Sequence, residues 1–252
     1  METKTFTNEE QVERIWDREN VIMTMNRRGY YFSNDQRQEE LDTLWVRCPE
    51  NRQTASFGVN SGYYAGMEEI ARWYVEERKA ALEEKLRPFV EAGQAAAEDI
   101  GLGVAAINTV TTPLVYIAED GRSARYLGYR LGFQATGKPD GDADCYLDFG
   151  LIYADLLKED GVWRIWHLVQ EHDHTVEVGA AYADVPVLQP FGADPLEREF
   201  GTPTIRKDVY QPLFGWEYMW QDMPRPFETY KDEESYGPKG MLGVPYYERD
   251  KR

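Results

Sequence analysis

Residues 166–174 read "WHLVQEHDH" and contain all three histidines of the 252-residue chain. Histidine is the side chain whose ordinary pKa lies nearest neutrality, so such a cluster could move protons or hold a metal. His172-x-His174, with Glu171 and Asp173 beside it, would offer two imidazoles to zinc or iron. A third ligand from His167 would have to cross the strand. Alternation groups Trp163, Ile165, His167, Val169 and Glu171 on one face, with Arg164, Trp166, Leu168, Gln170, His172 and His174 on the other. The two cysteines, Cys48 and Cys145, cannot build a ligand set alone, so no metal is expected. His167 is then either a proton-transfer group or a hydrogen-bonded structural histidine.

Three other places carry groups that burial could tune for acid/base work. Tyr30, Tyr31 and Asp35 lie at the end of the first predicted helix. Tyr30 falls seven residues after Met23 and continues that helix's apolar stripe, so it is expected to point inward. Asp35 either enters a site or caps the next helix. Tyr153 lies on the penultimate predicted strand, on one face with Leu151, Asp155 and Leu157. Asn60 and Tyr63 flank the turn after the first predicted strand, where they could hold a substrate oxygen. For each aromatic, ordinary core packing is the competing explanation.

These residues need elements to position them. Thr7 and Glu10 form a capping box that opens a helix whose apolar face is read as Val12, Ile15, Trp16, Ile22 and Met23. A short second helix follows, with Leu41, Leu44 and Trp45 inward. "TASFG" (54–58) reads as a strand and "VNSGYYAG" as a turn. A long helix from Met67 carries Ile70, Trp73, Tyr74, Leu82, Leu86 and Phe89. The Ala/Gly-rich stretch 92–106 extends that helix or forms a loop. Strands follow, with Asp120-Gly121 and Asp160-Gly161 between alternating apolar runs as hairpin signals. Helices first and a long meander after them predict an α+β fold, with helices packed on one curved sheet. From about residue 175 proline and aromatic residues dominate. That stretch reads as an irregular arm packed on the domain or on a second subunit.

Composition narrows the function classes. The chain has 45 acidic against 28 basic residues and a net charge of −17. Such a surface repels phosphate backbones and anionic lipid, so neither nucleic acid nor membrane is an expected partner. No apolar run approaches the ~18 residues of a membrane span, and the first residues lack a secretory core. A cytoplasmic protein is expected.

The order of these elements, with "GYYAGMEEIARWY", "TTPLVYIAEDGRSA" and "ADLLKEDGVWRIWHL", resembles the SnoaL-like branch of the nuclear transport factor 2-like superfamily over about residues 8–174. "MPRPFETYKDEESYGP" also looks like the C-terminal extension of some bacterial members. The resemblance implies a cone-shaped α+β barrel, in which a strongly bent antiparallel sheet wraps helices around a pocket. It divides the chain into a domain at 1–174 and an extension at 175–252. It also implies a homodimer or homotrimer and a lyase that needs no cofactor. The expected substrate is a hydroxylated aromatic or polycyclic small molecule, which would lose water or formaldehyde. A steroid-type double-bond isomerase and a non-catalytic binding domain are the alternatives. The resemblance points to His167, Tyr30 and Asp35 as catalytic; Tyr31, Asn60, Tyr63 and Tyr153 are the expected substrate contacts. One departure stands out: the dehydratases place a histidine before the "P-x-hydrophobic" phrase, where this chain reads "INTVTTPLV" with Asn108.

Overall fold

The computed structural model describes residues 5–59, 62–179, 204–206 and 224–242. Helix α1 spans Asn8–Ser33, and both halves of the Thr7/Glu10 capping box form. Its buried face is Asp17, Val21, Thr24, Met25, Arg28 and Gly29. This corrects the expected apolar face: Val12, Ile15, Trp16 and Met23 are each more than half exposed. The helix turns a mixed polar stripe inward because its buried side carries ion pairs and hydrogen bonds to the sheet, described below.

Helices α2 (Arg37–Leu44) and α3 (Pro49–Thr54) lead into the hairpin of β1 (Ser56–Val59) and β2 (Gly62–Ala65). "GYYA" is therefore a strand rather than part of a turn. A continuous helical run follows as α4 (Met67–Ala71), a π-helical stretch at Arg72–Glu77 and α5 (Arg78–Glu91). The Ala/Gly-rich stretch resolves into a loop, ending where β3 (Val104–Ile117) begins. Long strands β4 (Ser123–Gly137), β5 (Ala143–Glu159) and β6 (Val162–Glu177) complete the meander. At the β5–β6 turn Asp160 and Gly161 both have positive φ, 49° and 78°. That is the geometry an Asp-Gly hairpin requires. Strand β7 (Ile205–Arg206) pairs with β2.

The sheet order is β3-β4-β5-β6-β1-β2-β7. β1 runs parallel to β6, and the other pairs are antiparallel. The sheet curls strongly around the helices, the α+β cone that the sequence led us to expect. Its inner face packs on the helices. Val21, Met25, Trp45, Phe57, Trp73, Tyr74, Ile152, Ile165 and Leu168 belong to that core. Phe57 meets Trp73 edge-on at 4.9 Å, and Tyr64 stacks on Trp73 at 4.0 Å. The outer face carries a second core of Tyr63, Leu127, Leu151, Tyr153 and Val169, closed by Tyr236 and Met241 from the segment 224–242.

Strand β6 decides the chemistry, because its register slips twice against β5. Asp155 pairs with His167 and Leu156 with Ile165, leaving Trp166 as a bulge. Gly150 pairs with His172 and Phe149 with His174, leaving Asp173 as another. Each bulge adds one residue and reverses which parity faces inward. Simple alternation is thus corrected. Ile165 lies in the inner core, yet His167 and Val169 face outward. Leu168, Gln170 and His172 face inward.

Candidate active site

The inner face of the curled sheet holds a connected chain of buried polar groups. Asn108 on β3, Arg130 on β4, Asp148 on β5, and Gln170 and His172 on β6 are each no more than 9% exposed. Register brings them together: Asn108 pairs with Gly132, which pairs with Asp148, while Arg130 pairs with Gly150, which pairs with His172. Gly132 and Gly150 place no side chain between their neighbours. An added Cβ on Gly132 would reach the Arg130 guanidinium and Asp148 Cβ at 3.4 Å, and one on Gly150 would overlap the Glu171 carbonyl at the bulge. The glycine requirement at Gly150 is thus set by the close backbone approach at the bulge, while at Gly132 a side-chain carbon would make ordinary contacts.

His172 Nδ1 lies 2.8 Å from Asp148 Oδ2. Arg130 Nη2 also donates to that oxygen, and its Nη1 approaches His172 Nδ1 at 3.2 Å. Burial pushes the Asp148 carboxyl upward, but His172 and Arg130 outweigh it and hold the group below the usual carboxylate range. An ionised Asp148 assigns the Nδ1 proton of His172 toward itself, leaving Nε2 as the basic nitrogen. Nε2 faces the Gln170 amide at 3.5 Å. Gln170 Oε1 in turn accepts from Arg28 Nη2 at 3.0 Å and Asn108 Nδ2 at 3.4 Å. Arg28 is 1% exposed and lies 3.5 Å from the buried Glu40 carboxylate, which also accepts from Tyr74 and Trp45. The polar stripe of α1 therefore points inward because Arg28 joins the strands to α2.

Tyr126 stands in the adjacent inner row. Its hydroxyl lies over Gly128, where a Cβ would come within 2.8 Å of it, two positions from Arg130. Burial pushes this phenol up to about 12, so it stays a proton donor at neutral pH. Asn108 Oδ1 and Asp148 Oδ1 are buried and have no hydrogen-bond partner among the described residues. Buried acceptors left open in this way suit a ligand that donates.

His167 sits on the other side of the sheet. Its Nδ1 is 2.9 Å from Ser56 Oγ, its Nε2 is 3.4 Å from the Tyr230 hydroxyl, and Gly237 packs against the ring. Burial drives its pKa down to about 3, so it is neutral. Its cross-strand neighbour Asp155 accepts the Tyr236 N–H at 2.7 Å, and burial pushes that carboxyl up to about 7. Tyr63 and Tyr153 belong to the same outer layer: the Tyr63 hydroxyl donates to Tyr236 O at 3.3 Å, and Tyr153 packs on the Tyr236 ring.

The first-helix residues also depart from expectation. Tyr30 is 74% exposed, correcting its inward placement, because its neighbour Gly29 takes the close contact with Asn108 O. Asp35 is a surface residue paired with Arg37 and Arg78, and the N-cap of α2 is Gln36. Tyr31 is half-buried, with its hydroxyl near Arg27 at 3.4 Å. Asn60 lies outside the described residues. The sequence reading thus missed Arg28, Tyr126, Arg130, Asp148 and Gln170, and treated His172 as peripheral. The available signal was a run of charged or amide residues at inward parity on consecutive strands, readable only with the bulges in place.

What these features define is a curled-sheet domain with a buried histidine–aspartate pair on its concave side. No family model matches the chain, and no curated protein matches it. Among solved structures it is similar to hexachlorocyclohexane dehydrochlorinase LinA-type3 from Novosphingobium barchaimii LL02, at 13% identity and a TM-score of 0.46, over 68% of this chain and 96% of that one. It is also similar to an NTF2-like protein with a cystatin-like fold from Novosphingobium aromaticivorans, at 15% identity and a TM-score of 0.42, over 74% of this chain and 99% of that one.

Proposed function

We propose that this chain is an acid/base lyase that works without a cofactor on a hydroxylated aromatic or polycyclic small molecule. The observation that carries the reading is the His172–Asp148 pair on the concave face. Asp148 fixes the tautomer, and His172 Nε2 takes a proton from substrate carbon. The electron pair left on that carbon forms the new double bond as the neighbouring C–O bond breaks. In this reading Tyr126 protonates the departing oxygen, which leaves as water. Loss of formaldehyde from a hydroxymethyl group uses the same base on the hydroxyl proton, and the formaldehyde C=O forms as the C–C bond breaks. That bond's electron pair forms the new double bond as the neighbouring C–O bond breaks, its oxygen leaving as water on protonation by Tyr126. The sequence resemblance supports the reaction class. This reading takes His172 rather than His167 as the proton carrier and assigns no role to Tyr30 and Asp35, which lie at the surface.

The test is a panel of hydroxylated aromatics and polycyclic compounds incubated with the full chain in deuterium oxide. The expected result is product formation, or deuterium uptake at one carbon, abolished by Asp148→Asn in a variant whose circular dichroism is unchanged. Tight binding with neither exchange nor turnover would favour a binding domain. A shifted double bond without loss of a fragment would favour an isomerase.

A further inference from the structure

Gln170 can present His172 with either of two ends, an oxygen that accepts or an amino group that donates. The ends are nearly the same size, so hydrogen-bond partners rather than packing choose between them. Arg28 makes the choice. Its guanidinium has donors and no acceptor, and its Nη2 lies 3.0 Å from one end of the Gln170 amide, which must therefore be Oε1. Asn108 Nδ2 reaches the same oxygen at 3.4 Å. The amino end is left toward His172 Nε2, 3.5 Å away.

Arg28 is itself held. Its Nε lies 3.5 Å from Glu40 Oε1, and its Cζ is 5.8 Å from the Phe32 ring and 5.5 Å from the Phe57 ring. Glu40 is fully buried and accepts from Trp45 Nε1 at 3.3 Å and from the Tyr74 hydroxyl at 2.7 Å. Burial pushes the Tyr74 phenol far up, so it keeps its proton and remains a donor. A chain of contacts thus runs from Glu40 on α2 through Arg28 on α1 to Gln170 on β6. Reversing the amide would set its amino group against the guanidinium, two buried donors face to face.

The sense of that amide bears on the base. Asp148 on β5 takes the Nδ1 proton of His172, with Arg130 on β4 beside it. Behind Gln170 stand Arg28 and Glu40, and Tyr126 occupies the adjacent inner row. An amino end at Nε2 opposes a second ring proton. An oxygen there would accept that proton and hold the ring as imidazolium, which cannot act as a base. The 3.5 Å contact is long, so a substrate that displaces it gives up little. We propose that Arg28 is a positioning residue for the base: by fixing the Gln170 amide, it keeps His172 Nε2 free of a proton. The proposal rests on His172 as the proton carrier, but it concerns the free protein and its test needs no substrate.

Nuclear magnetic resonance of the isotope-labelled full chain supplies that test. In the wild type, the Gln170 amide protons should cross-relax more strongly with the His172 ring than with the Arg28 guanidinium, and the reverse would overturn the proposal. A mutant cycle then follows the titration midpoint of His172, assigned by its loss in His172→Gln. Arg28→Met, made together with Glu40→Gln so that no buried carboxylate is stranded, releases the amide. It should raise the midpoint by about one pH unit. In a Gln170→Met background no amide remains to reverse, so the same pair should raise it by less than about half as much. Equal rises in both backgrounds, or none in either, would overturn the proposal. On any compound that the wild type turns over, the acid limb of kcat/KM should move with the midpoint while KM changes little. Absence of turnover on every compound would count against the lyase reading, and the amide result would stand apart from it.

Discussion

Asp155 and His167 sit side by side under the segment 224–242, and their burial has opposite consequences for stability. Asp155 is 1% exposed, and its pKa rises from 3.8 to about 7. The folded state therefore holds a proton that the unfolded state has released. This contribution is fully present below pH 3.8, declines as pH rises, and is gone above about 7. The displacement corresponds to about 4 kcal/mol as an upper figure, which the Arg125 guanidinium opposite Asp155 helps to limit. His167 runs the other way. Its pKa falls from 6.5 to about 3, so its contribution is full above 6.5 and lost as pH falls toward 3. Between pH 4 and 6.5 the two slopes cancel, so this pair leaves the wild-type stability flat there. Asp155→Asn keeps an acceptor for the Tyr236 N–H and removes the charge. Urea unfolding of wild type and variant at pH 5 and pH 8 measures the effect. Asp155→Asn should gain on wild type by about 1–4 kcal/mol between those two values. An identical difference at both pH values would refute the argument.

Other consequences follow from single contacts. Thr7→Ala removes the oxygen that accepts the Glu10 N–H, and should lower stability by about 1 kcal/mol in denaturant unfolding. Gly150→Ala forces a methyl into the Glu171 carbonyl, so it should shift the Asp173 bulge and cost more than ~3 kcal/mol, seen as a large fall in melting temperature. Gly237→Ala presses on the His167 ring, whose atoms would lie 2.9 Å from the added carbon. It should loosen the segment 224–242, with faster amide exchange at Tyr236 and little change at His172.

Much of the scaffold was legible in the chain. The capping box, the Asp-Gly turns and the apolar runs each act through neighbours in sequence, so α1, the hairpins and the α+β order could be read directly. The site was legible only in part. "WHLVQEHDH" lies on β6, and alternation placed His167 and His172 on opposite faces, as the strand does. Which face was inside depended on bulges at Trp166 and Asp173, and no local residue type announces them. Trp166 bulges where its indole N–H bonds Asn51 O and Thr54 Oγ1 from α3, a contact more than a hundred residues away in sequence. The apolar stripe of α1 misled for a related reason. Hydrophobicity pointed to one face, while the buried partners of Arg28 drew the other face inward. Tyr30 and Met23 were therefore assigned to the wrong side, and Asp35 became a surface ion pair.

The central claim is that proton transfer belongs to the concave His172 and not to His167. It is tested most directly by His172→Gln and His167→Gln, assayed side by side for deuterium uptake or turnover on whichever compound the wild type processes. His172→Gln should reduce the rate at least ~100-fold with the substrate affinity little changed, and His167→Gln should leave it within about threefold. A His167→Gln variant that is folded and dead, beside an active His172→Gln variant, would contradict the account.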